Sequence, residues 1–181
     1  MADEQEMRWE TVDSQVAYTC PGFEVVHDEV RLPDGTETDF DYVREPPAVV
    51  VLPLTAGGEV VTIAEYRHAV ERVNHGLPAG TIEDGEEPAA AARRELREET
   101  GYAAGGLEPL ATVEPTNGIA DSVHHHFLAR DCTSEGDPDL DFNESIRVRT
   151  APYGEFRDAV LAGEVRDGRS ALAVLRYEME R

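Results

Sequence analysis

Gly80, Glu86, Arg94, Glu95, Leu96, Glu98, Glu99 and Gly101 follow one another at intervals that could build a cation site. The order is a glycine, five residues, a glutamate, seven residues, Arg-Glu-Leu, one residue, Glu-Glu, one residue and a glycine. On a helix, Glu95 and Glu99 form an i, i+4 pair stacked on one face, with Glu98 one step round. Three carboxylates on one helix edge repel each other and cost stability unless cations join them. Hard divalent ions such as Mg²⁺ or Mn²⁺ prefer such oxygen ligands. Arg94 can reach back from the same helix to the Glu86 carboxylate as a bidentate ion pair and so orient the intervening loop. A solvated acidic face is the plainer alternative in a chain this rich in acids. Spacing decides against it, since all eight matches together have a chance probability of roughly one in ten thousand by a crude template count.

These residues resemble the box of the Nudix hydrolase family over Gly80–Tyr102, with Tyr102 standing where an aliphatic residue is usual. Val49–Leu54, Glu65-Tyr66-Arg67-His68, Leu77-Pro78-Ala79-Gly80, Asn143–Val148 and Ala162-Gly163-Glu164 resemble the ADP-ribose pyrophosphatase branch, so the likeness covers roughly residues 16–178. The resemblance implies that Glu95 and Glu99 ligate divalent metal, with the Ala79 carbonyl and Glu98 completing the sites. It implies that Glu86 and Arg94 orient the box between Gly80 and Gly101. It also implies that Arg67 contacts a substrate phosphate and that Glu144 binds metal or assists the attacking water. Roughly two or three Mg²⁺ ions would then neutralise a diphosphate, acidify a water and stabilise the leaving phosphate. Glu98 or Glu144 would take the water's proton. The implied reaction cleaves an ADP-sugar, ADP-ribose foremost, into AMP and a sugar phosphate. Two departures leave other substrates open: Gly76 stands where the branch often has glutamate, and Thr116-Asn117-Gly118 where it often has Ser-Pro-Gly. The competing readings are the same catalyst acting on nucleoside triphosphates or dinucleotides, and a nucleotide-sugar sensor that binds without cutting.

The elements that must hold these residues read as an α/β domain. Pro88–Thr100 is the clearest helix, with proline in its first turn and Gly101 as its stop. The valine-rich run Ala48–Leu54 reads as a strand buried on both faces. Val60–Tyr66, Leu107–Glu114, Val123–Ala129 and Ile146–Thr150 read as further strands, and Tyr153–Ala162 and Ser170–Glu180 as closing helices. Residues 68–75 and 131–145 read as loops, the first leading into the segment Leu77-Pro78-Ala79-Gly80. Pro33-Asp34-Gly35 marks a hairpin between Phe23–Leu32 and Glu37–Val43, and residues 1–14 read as frayed. The resemblance implies an α/β/α sandwich around a mixed sheet. It divides the chain into an N-terminal strand and hairpin region, 1–45, that builds a homodimer, and a hydrolase domain, 46–181.

Composition narrows the partners. The 181 residues carry 38 acids against 16 basic residues, all of them arginine, for a net charge of −22. Such a surface repels nucleic acid and anionic lipid and suits a salt-adapted, halophilic cytoplasm. The N-terminal stretch lacks the apolar core of a signal peptide, and no apolar run is long enough to span a membrane. Cys20 and Cys132 have no metal-ligand spacing. Strand alternation lets at most two of His124-His125-His126 converge, which disfavours a zinc site and leaves a place beside the substrate as the stronger reading. Asp137, Asp139 and Asp141 imitate a calcium loop, but Phe142 replaces its glycine.

Overall fold

A computed structural model describes residues 5–142 and 144–180 as two compact units. One unit comprises the chain up to Pro46 together with Glu114–Val123; the other comprises Pro47–Val113 and the chain from His124 onward. Asn143, part of the stretch that resembles the pyrophosphatase branch, lies outside the described residues.

The first unit is an antiparallel meander of β1 (Glu10–Cys20), β2 (Phe23–Arg31) and β3 (Glu37–Arg44). The hairpin expected around Pro33-Asp34-Gly35 is present, with Gly35 at φ 87° and the Asp34 carboxylate accepting the Thr36 N–H. The expectation of a frayed start is corrected: β1 begins at Glu10 and pairs with β2 along its length. Register breaks between Thr11 and Asp13 and between Val16 and Tyr18 interrupt its side-chain alternation, and the strand is exposed almost throughout. No apolar period therefore survives for a sequence reading to detect.

The second unit is built on a mixed sheet in the order β7-β4-β10-β9, from β4 (Ala48–Pro53), β7 (Ala79–Thr81), β9 (Gly106–Val113) and β10 (His124–Arg130). β4 runs parallel to β10 and antiparallel to β7. Its alternate residues feed two cores. Val49 and Val51 pack with Ala91, Ala92 and Leu96 of α1 (Pro88–Thr100). Val50 and Leu52 pack on the opposite face with Ala173 and Val174 of α3 (Gly168–Glu180) and with Phe156 and Val160 of α2 (Tyr153–Leu161). All four β4 side chains are fully buried, and burial of each contributes about 1.5–3 kcal/mol. A second sheet, β12-β5-β6, joins β5 (Glu59–Arg67) to β6 (Arg72–Gly76) and β12 (Ile146–Pro152). A short pair forms between β8 (Tyr102–Ala103) and β11 (Thr133–Ser134).

β6 overlaps the stretch read as loop, and β7 begins in the Leu77–Gly80 segment that follows it. They are short, and their partners rather than their own patterns define them. A mixed central sheet with helices on both faces bears out the α/β/α expectation. Among the described residues no helix is long and apolar enough to cross a membrane.

Candidate active site

α1 carries the box, and local chemistry fixes both of its ends. Pro88 occupies the first turn, where its missing N–H has no helical partner to lose. Gly101 closes the helix at φ 71°, and a Cβ there would lie 2.2 Å from the Gly136 carbonyl oxygen, so glycine is required on two counts. Gly80 meets the middle of the helix from β7. A Cβ on Gly80 would stand 2.2 Å from the Glu95 carboxyl carbon, so the absence of a side chain is what admits that carboxylate.

Arg94 is the hub. Its Nε and Nη2 donate to the two oxygens of Glu86 at 3.0 and 2.9 Å, the bidentate pair expected from sequence. Nη2 also donates to the Thr81 carbonyl at 2.9 Å, and Nη1 donates to Glu95 at 2.8 Å and to Glu98 at 2.9 Å. Glu86 in turn accepts the Glu83 N–H and thereby closes the loop before the helix. One guanidinium thus gathers three carboxylates and a strand carbonyl.

Glu99 stands apart from this hub. It is 3% exposed and accepts the Ala79 N–H at 2.8 Å. Burial pushes its carboxyl up to about 8, and the negative charges of Glu95, Glu144 and Glu65 add to the effect. Burial likewise raises Glu95, against the pull of Arg94. Glu144, on the loop before β12, accepts the Asp141 N–H at 3.0 Å and acts electrostatically on Glu95 and Glu99. Arg67 ends β5 and pairs with Glu65 at 2.7 Å.

Among the described residues, no three histidine, cysteine or carboxylate side chains converge on one ligand position. The donors nonetheless suit a hard dication: carboxylate oxygens crowded beyond what one arginine balances, one of them buried and biased towards its neutral form. Glu95, Glu98 and Glu99, with the Ala79 carbonyl, are the residues that would hold it.

Sequence reading missed Glu65 as a site residue, along with the head of α3. Strand alternation carried the signal for Glu65, because Ile63, Glu65 and Arg67 share one face. The spacing Asp167-x-x-Ser170 before an apolar run is a helix-start signature two residues ahead of the expected boundary. The histidines divide as alternation requires. In the β10 register His125 pairs with Val49, on the α1 face, where its Nδ1 lies 3.2 Å from Thr112 Oγ1. His126 pairs with Val50, on the α3 face, and is 1% exposed with neither ring nitrogen hydrogen-bonded.

The NUDIX domain model matches residues 44–174. The chain belongs to the Nudix family. An ADP-ribose pyrophosphatase of Bacillus subtilis is 32% identical over 165 residues, covering 91% of this chain and 89% of the relative. A GDP-mannose pyrophosphatase of Klebsiella pneumoniae is 35% identical over 146 residues, covering 75% and 72%. The crystal structure of an ADP compounds hydrolase superposes with a TM-score of 0.83 at 21% identity, covering 95% of this chain and 93% of that one. This protein is therefore a Nudix pyrophosphohydrolase similar to ADP-ribose pyrophosphatases, with the Nudix fold. Nudix hydrolases generally use divalent metal ions.

Proposed function

We propose that this Nudix hydrolase cleaves the phosphoanhydride bond of an ADP-sugar, ADP-ribose foremost, giving AMP and a sugar phosphate with Mg²⁺ or Mn²⁺. The crowding around Glu99 carries the reading: a buried carboxylate, held by a main-chain amide, in the field of three others. Such an arrangement suits a site that gains a dication together with its anionic substrate. Bound to Glu95, Glu98, Glu99 and the Ala79 carbonyl, the ion supplies charge neutralisation and a more acidic water. Arg94 and Glu86 hold the helix edge rigid against the Gly80 strand. Arg67 exchanges its Glu65 partner for a substrate phosphate. The proton of the attacking water goes to Glu144, because Glu98 is ion-paired with the Arg94 guanidinium whereas Glu144, among the described residues, accepts only a main-chain amide. A second reading, another nucleoside diphosphate sugar, draws on the likeness to a GDP-mannose pyrophosphatase.

Residues 1–45 are further proposed as a dimerisation region and 46–181 as the hydrolase domain. Trp9, Val16 and Phe40 are 51%, 47% and 37% exposed, an apolar area suited to a second copy of the chain. The acidic surface fits a cytoplasm of concentrated salt.

The test is product release from ADP-ribose, other nucleoside diphosphate sugars, dinucleotide polyphosphates and nucleoside triphosphates. It is run with Mg²⁺ or Mn²⁺, at low and molar salt, beside Glu99→Gln, Glu98→Gln and Glu144→Gln. Turnover of diphosphate sugars that collapses in Glu99→Gln, and falls further in Glu144→Gln than in Glu98→Gln, is the expected pattern. Binding without turnover across the panel would replace the hydrolase with a sensor.

A further inference from the structure

Glu65 and Arg67 stand two residues apart on one face of β5, with Arg67 Nη2 2.7 Å from Glu65 Oε2. The partners are unequally exposed. The Arg67 side chain is 38% exposed and open to a ligand, whereas the Glu65 side chain is 13% exposed. Burial pushes the Glu65 carboxyl up; Arg67 pulls it back, Glu144 and Asp167 add to the rise, and Arg169 opposes it. The charge of Glu65 in turn acts on Glu99 of the box. Arg169 is already committed, its Nε donating to Asp167 at 3.2 Å. The cavity beside Glu65, lined also by Asn74 and Asp167, is about 20 Å³, room for a water molecule and nothing larger. Arg67 is therefore what balances Glu65.

A substrate phosphate that takes Arg67 strips a sheltered carboxylate of its counter-ion, among other carboxylates that repel it. That step is unfavourable unless positive charge arrives with the substrate. Glu95, Glu98 and Glu99 are where such charge would be held, and the field that links Glu65 to Glu99 acts equally from a dication placed there. We propose that Glu65 is a positioning residue that makes nucleotide binding conditional on the metal: it occupies Arg67 in the empty site and yields it once a dication offsets its charge. By linkage, the substrate strengthens metal binding through Glu65 by the same factor. The assignment rests on the diphosphate-sugar reading above.

The experiment measures binding of α,β-methylene ADP-ribose, which cannot be cleaved between its phosphates, by calorimetry in chelator and in Mn²⁺. Wild type, Glu65→Gln, Glu65→Asp and the double variant Glu65→Gln with Arg67→Gln are compared, with folding checked by circular dichroism. In chelator, Glu65→Gln binds the analogue about tenfold tighter than the wild type, because Arg67 is free without the metal. The factor by which Mn²⁺ strengthens binding shrinks about tenfold in the same variant. Glu65→Asp keeps the charge and follows the wild type, and adding Arg67→Gln removes the gain. A merely structural role for Glu65 would not tighten metal-free binding. Metal-free affinity in Glu65→Gln equal to or weaker than in the wild type, or a gain that survives Arg67→Gln, overturns the proposal while the hydrolase reading stands. A wild type that binds no analogue even in Mn²⁺ overturns both.

Discussion

Gly80 and Arg94 set the positions of the box carboxylates, one by leaving room and the other by holding on. Gly80→Ala puts a methyl where the Glu95 carboxyl now sits, so Glu95 must leave that place. The expected loss is about 10–100-fold in metal affinity and activity, with thermal unfolding little changed, checked by metal titration and turnover on one sample. His126 gives a second residue-scale prediction, and it concerns stability rather than catalysis. Burial depresses its ring to about 4 from 6.5; His124, Arg169 and His125 push the same way, and Asp167 opposes them. Between those values the unfolded chain binds the extra proton, so stability is complete above pH 6.5 and declines as the pH falls towards 4. The contribution is at most about 3 kcal/mol. Urea unfolding at pH 7 and pH 4.5 should show a larger acid loss in the wild type than in His126→Leu; equal losses would mean that this ring is not buried neutral. Histidine burial was not legible in the sequence, where three adjacent histidines look alike until the sheet assigns each a face.

Elements with strong local signals were legible. The helix Pro88–Thr100 has the expected bounds because proline and a positive-φ glycine mark its two ends independently of tertiary structure. α3 begins two residues earlier than expected, at Gly168, because its start is set by a long-range arrangement. Asp167 Oδ2 accepts both the N–H and the Oγ–H of Ser170, and Ser170 Oγ accepts the Leu77 N–H at 2.8 Å from the segment leading into β7. Ser170 therefore fastens a helix to the strand that supplies Ala79 and Gly80. Ser170→Ala leaves the buried Leu77 amide without that partner and should destabilise the fold by about 1–3 kcal/mol, measured by denaturant unfolding. Activity should fall beyond the stability loss, because the strand facing Glu95 loses an anchor. β6, β7 and the start of β1 escaped the sequence reading for the opposite reason: bulges, exposure or brevity left them no pattern of their own.

At the scale of the whole molecule, charge and the exposed apolar area make separate predictions. With a net charge of −22, self-repulsion opposes compactness, and salt relieves it. Screening worth about 2–3 kcal/mol should raise the melting temperature by roughly 5–10 °C between dilute and molar salt. A flat profile would make the acidic composition irrelevant to stability. The apolar area of the N-terminal sheet predicts that Trp9→Asp or Val16→Asp gives a one-chain mass by light scattering where the wild type gives two. An unchanged mass would rule out that surface as the interface. The box was legible as chemistry because its spacing is long and specific. The surrounding pocket was not, since Glu65, Asn74 and Asp167 are more than a hundred residues apart at their extremes and only the fold brings them together.

The pairing of β4 with β7 matches Val49 with Gly80 and Val50 with Ala79. Ala79 thereby joins the core beneath α3, while Gly80 meets Glu95 on the α1 side. A slip of one residue would exchange them, pressing a methyl into the carboxylate and opening a hole on the far face. The same alignment thus fills one core and clears the site on the other. Hydrolysis regained during refolding is then a readout of strand alignment: molecules that pair these two strands out of step can be compact and still catalytically silent.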